Sequence, residues 1–236
     1  MLTINGLNQF YGESHILWDV DVEIEQGKCT CIMGRNGVGK TTLLQCIMGQ
    51  LPISSGTMTY KDMAHKEMAL HELPMEKRAS LGIGYVPQGR QIFSMLTVEE
   101  NLMIGLPQRR DKSRRIPEYI FDMFPVLKDM LARRGGDLSG GQQQQLAIGR
   151  ALVIDPQLLI FDEPTEGIQP NIVSDIGDVI KRLNTELGVT VILVEQKLPF
   201  VRRTADCFYI LDRGAIKANG TVDELSESLV KEYLTV

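Results

Sequence analysis

The chain of 236 residues has no apolar run approaching the length needed to cross a bilayer, and Met1 to Leu7 read as a strand without the layout of a signal peptide. A cytoplasmic protein is the expectation. Cysteine is scarce: Cys29, Cys31, Cys46 and Cys207 are the only four, and beyond one C-x-C in an apolar segment they lack metal-ligand spacing. They read as small reduced core residues, which gives little room for zinc or redox chemistry. Positive charge is also short, the formal net charge being −5. Nucleic-acid binding needs clustered Lys and Arg to displace counterions, and the one basic stretch, Arg109 to Arg115, reads as a solvated face. Internal repeats and low-complexity tracts are absent. What is present is an apolar fraction of 43%, enough to fill the core of one α/β unit with or without an insertion.

The segment Gly34-Arg35-Asn36-Gly37-Val38-Gly39-Lys40-Thr41 fits the phosphate-binding pattern G-x-x-x-x-G-K-[ST], with Thr42 following. Glycines let successive backbone N–H groups converge on phosphate oxygens without an intervening Cβ. Lys40 adds a mobile positive charge for the β and γ phosphates, and the Thr41 hydroxyl is placed to coordinate Mg²⁺. The flanks agree with the pattern. Lys28 to Met33 reads as a strand running into the loop and Thr42 to Met48 as a helix running out, its positive end aimed at the anion.

Further strands are expected at Leu2 to Leu7, His15 to Ile24, Gly82 to Val86, Leu158 to Asp162, Val189 to Val194 and Cys207 to Leu211. Ile172, Ile176, Val179, Ile180, Leu183 and Leu187 fall on one helical stripe, with Gly188 as the stop. The fold class is α/β, a mostly parallel sheet flanked by helices with an antiparallel portion near the N-terminus. From Gln88 to Arg150 the pattern is helical, over Val98 to Ile104, Pro117 to Phe124, Val126 to Leu131 and Gly141 to Val153. One domain, 1–236, is therefore expected, with a core from 1–87 and 151–236 and a helical subdomain at 88–150. Asp223 to Val236 reads as a closing helix.

Leu158 to Asp162 is an apolar strand ending in two acids, which sets a carboxylate at the sheet's carboxyl edge beside the phosphate loop. Asp162 is expected to hold the Mg²⁺ shell, and Glu163 to orient and deprotonate the attacking water. In Leu138-Ser139-Gly140-Gly141-Gln142, Ser139 can cap a helix while the glycine N–H groups stay open to an anion. That segment, downstream of a phosphate loop and upstream of an acid-ended strand, resembles the signature of ATP-binding-cassette ATPases of the P-loop NTPase class.

The resemblance covers essentially the whole chain. It implies that Tyr11 stacks on adenine, that Gln88 senses Mg²⁺ and the γ-phosphate, and that Ser139, Gly140, Gly141 and Gln142 complete the nucleotide site of a partner cassette in a head-to-tail pair. Two positions depart from the commonest pattern. Gln169 stands where many members have Asp, and Gln196 replaces a histidine; an amide can donate to a γ-phosphate oxygen but cannot carry a proton at neutral pH. Thr165 to Pro170 and Glu195-Gln196 resemble cassettes that power importers of branched-chain amino acids and urea. Val86 to Phe93 and Arg133 to Gln145 bring the match closer to the urea set.

An ATP-hydrolysing subunit is thus expected, with ATP and Mg²⁺ as cofactors, pairing as a homodimer or with a second cassette. The resemblance further implies membrane permease subunits, an extracytoplasmic solute-binding protein acting indirectly, and a peripheral place on the inner face of the membrane. Phe93, Met95 and Leu96 supply apolar contact either to a permease helix or to the subdomain core. A soluble cassette acting on nucleic acid is disfavoured by the acidic balance, and a phosphotransferase by the signature segment.

Overall fold

The computed structural model describes residues 1–235 of the chain; Val236, the end of the expected closing helix, lies outside them. An antiparallel hairpin, β1 (Leu2–Tyr11) and β2 (Ser14–Ile24), precedes β3 (Cys29–Met33), the glycine loop and α1 (Lys40–Met48). Next come β4 (Ser55–Lys61), β5 (Glu67–Ala69), α2 (Met75–Ser80) and β6 (Ile83–Val86). The helical stretch holds α3 (Val98–Met103), α4 (Glu118–Met123), α5 (Pro125–Asp129) and α6 (Gly140–Leu152). The chain closes with β7 (Leu158–Asp162), α7 (Pro170–Thr185), β8 (Thr190–Val194), α8 (Leu198–Thr204), β9 (Cys207–Asp212), β10 (Ala215–Thr221) and α9 (Glu227–Tyr233).

The strands form two sheets: a four-stranded one of order β2-β1-β4-β5, antiparallel throughout, and a six-stranded one of order β10-β9-β3-β8-β7-β6. In the second, every pairing from β9 to β6 is parallel and β10 adds an antiparallel edge. β3, β7 and β8 are buried at every position, which is why they read as unbroken apolar runs. Their side chains alternate between two cores. Cys31, Leu159, Phe161, Val191 and Leu193 join an apolar cluster with α3 to α8, whereas Ile32, Leu158, Ile160, Ile192 and Val194 join the antiparallel sheet and α1. Burial raises the thiol pKa of the three fully buried cysteines, to about 11 for Cys46, so they stay protonated packing groups.

Several sequence expectations need correction. The helical region ends one helix at Met123 and starts the next at Pro125, because the residue before a proline is pushed out of the α region; Phe124 sits at φ −132, ψ 71. α7 stops at Thr185, so Leu187 is not on its buried stripe and is 44% exposed. The chain reverses there through Gly188 at φ 64, whose N–H bonds the Asn184 carbonyl. β4, β5 and β10 were not anticipated. Ser, Gly, Lys and Asn interrupt their patterns, and only Met58 and Tyr60 of these strands reach full burial.

The helix behind the glycine loop is closed by an unusual cap. Arg78 is 3% exposed, and its guanidinium donates to the carbonyls of Cys46 and Ile47, both at 2.7 Å, and of Leu73 at 2.8 Å. A buried cation at a helix C-terminus meets the negative end of the dipole and satisfies its orphan carbonyls. Arg78→Met should therefore lower the unfolding free energy by about 2 kcal/mol, read by urea denaturation; a change within about 0.5 kcal/mol would contradict this.

Candidate active site

The loop after β3 is squeezed between neighbouring strands. Gly34 sits at φ 150, and a Cβ there would lie 2.3 Å from the Leu211 carbonyl of β9. Gly37, at φ 79, has open space around it and is needed for the backbone turn alone. The loop ends at Gly39, and α1 begins at Lys40.

Nine residues singled out from the sequence line one cleft of about 400 Å³: Tyr11, Asn36, Gly37, Gly39, Lys40, Thr41, Thr42, Gln88 and Glu163, joined by Ile16 and Glu166. Tyr11 is 47% exposed, and its hydroxyl donates to Gln45 Oε1 at 3.1 Å, which fixes the ring at the cleft mouth. Lys40 Nζ donates to the carbonyls of Gly34 at 2.7 Å and Arg35 at 2.9 Å, and stands 3.7 Å from Glu163 Oε1. Burial lowers the Lys40 pKa, while the nearby Glu163 and Asp162 carboxylates oppose that shift. The remaining loop residues contribute backbone only. The Arg35 guanidinium reaches away to the Thr235 carbonyl, and Val38 packs against the core beneath the antiparallel sheet.

Asp162 lies behind Thr41 at 1% exposure. Its Oδ2 accepts the Tyr85 hydroxyl at 3.2 Å, and its Oδ1 is buried without a partner among the described residues. Burial raises its pKa, partly offset by the hydrogen bond from Tyr85. An orphaned carboxylate oxygen beside a hydroxyl, with the Gln88 amide across the cleft, is a donor set that suits a hard divalent cation. No group of three or more His, Cys, Asp or Glu converges among the described residues, so such an ion would draw further ligands from water and phosphate.

Glu163 turns off the end of β7 at φ 47, uncommon for a residue with a Cβ, and is held there by its N–H bond to the Val194 carbonyl at 2.9 Å. Gln196 Nε2 donates to Glu163 Oε1 at 2.8 Å and to Asn36 Oδ1 at 2.7 Å. A carboxylate only accepts, so the amide must present its nitrogen. Gln88 Nε2 donates to Glu166 Oε2 at 2.9 Å and approaches Glu163 Oε2 at 3.5 Å. Gln88, Glu163 and Gln196, from three separate loops, thus meet at one carboxylate.

Ser139, Gly140, Gly141 and Gln142 do not line this cleft; they form the N-terminal tip of α6. Ser139 and Gln142 make a reciprocal capping box, the Gln142 side chain accepting the Ser139 N–H at 2.9 Å. Both glycines have packing reasons. A Cβ on Gly140 would meet the Arg90 guanidinium at 3.0 Å, and one on Gly141 would meet Ile172 at 2.9 Å. Glu166, Thr165 and Glu195 were not anticipated as parts of the site, since a single Glu or Thr after a strand carries no spacing signal.

A model of the family described as ABC transporter matches residues 17–166. The chain belongs to that family. It is 40% identical over 222 residues to the high-affinity branched-chain amino acid transport ATP-binding protein BraG of Pseudomonas aeruginosa, covering 94% of this chain and 93% of that protein. It is 38% identical over 229 residues to LivF, a probable branched-chain amino acid transport ATP-binding protein of Archaeoglobus fulgidus, covering 96% and 94%. Among solved structures, the dimeric bacterial ABC transporter cassette MJ0796 superposes with a TM-score of 0.80 at 25% identity, over 94% of this chain and 99% of that one. The ABC ATPase fold and an ATPase activity coupled to transport follow from this membership.

Proposed function

We propose that this ABC ATPase energises an importer of branched-chain amino acids, with Glu163 as the general base of ATP hydrolysis. The observation that carries the mechanism is the Glu163 carboxylate held at 2.8 Å by the Gln196 amide while standing 3.7 Å from Lys40. The Gln196 amide aims one carboxylate oxygen, and a water bound between it and the γ-phosphate gives a proton to that oxygen as it attacks phosphorus and the bond from phosphorus to the bridging β-phosphate oxygen breaks, releasing ADP. Lys40 leaves the loop carbonyls to neutralise charge on the β and γ phosphate oxygens. Tyr11 offers its exposed ring face to the base. Thr41, Asp162 and Gln88 would hold Mg²⁺, which would supply further charge neutralisation at the phosphates. Gln196 orients the base and takes no proton.

The tip of α6 then serves a second nucleotide. Ser139, Gly140, Gly141 and Gln142 lie outside their own cleft, and the dimeric state of the cassette MJ0796 supports a working pair, in which each tip closes the other's site. The partner is a second copy or a related cassette. No helix among the described residues is long and apolar enough to cross a membrane, so the solute path falls to separate permease subunits. The helical stretch 88–150 offers them an apolar patch: Phe93 is 48% and Met95 73% exposed, which favours docking over a core role for these two side chains, whereas Leu96 is half-buried.

The solute assignment follows BraG and LivF and departs from the sequence-based preference for urea. That preference rested on residues 86–93 and 133–145, of which only Gln88 lines the cleft.

Glu163→Gln should lower kcat for ATP by at least about 100-fold with ATP binding retained, and Gln196→Ala by about tenfold, measured by phosphate release from purified protein. A wild-type rate in Glu163→Gln with slow turnover in Gln196→Ala would refute the assignment. In cells lacking the chain, leucine uptake should be lost, then restored by wild-type but not by Phe93→Ala, whose purified form still hydrolyses ATP. Loss of urea uptake with leucine uptake intact would assign urea instead.

A further inference from the structure

The reaction described above leaves one buried carboxylate without a role. Glu195 follows directly on β8 and is 4% exposed. A carboxylate at that depth is costly unless its oxygens are well supplied with donors. Its Oε2 accepts the Thr165 hydroxyl at 2.6 Å, and its Oε1 accepts the backbone N–H groups of Gln196 at 2.8 Å and Lys197 at 3.1 Å. Thr165 has no exposed surface and stands two residues beyond Glu163. Lys197 closes the ring, its Nζ donating to the Thr165 carbonyl at 2.8 Å.

These bonds join two loops that share no other element. One leaves β7 and carries Glu163; the other leaves β8 and carries Gln196. Charge-assisted hydrogen bonds are the shorter and stronger kind, and the Thr165 contact is of that kind on a fully buried atom pair. The Gln196 backbone, from which the amide reaches Glu163, is fixed through its own N–H to the same carboxylate.

We infer that Glu195 is a positioning residue for hydrolysis: its carboxylate, bridging Thr165 and the Gln196 backbone, holds the Gln196 amide against Glu163. This rests on Glu163 being the base. Thr165→Val removes only the hydroxyl bond to Glu195 and leaves in place the Gln196 and Lys197 N–H bonds and the Lys197 bond to the Thr165 carbonyl. Glu195→Leu removes every bond to the carboxylate. Glu195→Gln retains an acceptor for the backbone and a donor for the Thr165 oxygen.

The test is steady-state ATP hydrolysis by the purified full chain, with melting temperature and ADP affinity recorded for each variant. Thr165→Val and Glu195→Leu are each expected to lower kcat by roughly five- to tenfold, no more than Gln196→Ala, while KM for ATP changes by less than about threefold. Glu195→Gln should stay within about threefold of wild type. In a Gln196→Ala background, Thr165→Val should cost less than about twofold, because the residue it acts through is already gone. A wild-type kcat in Thr165→Val, or an equal loss with and without Gln196, would overturn the inference. If Glu195→Leu fails to fold, Thr165→Val decides alone. An inactive Glu163→Gln beside an unaffected Thr165→Val sinks only the role of Glu195; a fully active Glu163→Gln removes the base assignment itself.

Discussion

The register of the parallel strands governs where the chemistry sits. Ile32 of β3 pairs with Val194 of β8, Val194 pairs with Asp162 of β7, and Phe161 pairs with Val86 of β6. The four strands therefore end level, and their following loops deliver Gly34, Glu195-Gln196, Glu163 and Gln88 to one edge of the sheet. Alternation along β7 puts Asp162 on the face of Leu158 and Ile160, the side covered by α1 and the glycine loop. A slip of β7 by one residue against its neighbours would turn Asp162 toward the other face and strand its charge in an apolar core.

On that edge the charges are arranged for an anion that is itself heavily charged. Lys40 is buried, its ammonium shared between loop carbonyls and close to Glu163. Asp162 keeps one oxygen without a protein partner, and Glu163 is set at a backbone angle that its neighbours must enforce. Each feature is unfavourable in isolation. On the proposed reading these groups would gain partners when a triphosphate and its cation arrive, and such pre-set polarity accelerates phosphoryl transfer with little covalent chemistry by the protein.

Much of this is legible in the sequence alone. The glycine loop with its lysine, the acid-ended strand and the signature tip depend on local backbone chemistry, and local chemistry is what a sequence prints. The buried parallel strands were readable because a run of apolar residues has few other homes. The edge strands β5 and β10 were not, since they are held by pairing more than by their own side chains, and neither was β4, where only Met58 and Tyr60 among seven residues reach the core. Tertiary contacts hid the rest. Nothing in the sequence brings Thr165 to Glu195, separates the Arg35 side chain from the cleft, or explains that Gly140 makes room for Arg90.

The central claim is that a nucleotide is shared, held by the glycine loop of one cassette and closed by the α6 tip of another. The most direct measurement is a structure of the permease-bound assembly carrying Glu163→Gln, determined with ATP and Mg²⁺. The expected result is the Ser139 hydroxyl and the Gly141 N–H within hydrogen-bond distance of the γ-phosphate bound at the opposing cassette's Lys40 position. ATP bound in the loop with the Ser139 tip facing solvent in every copy would contradict it.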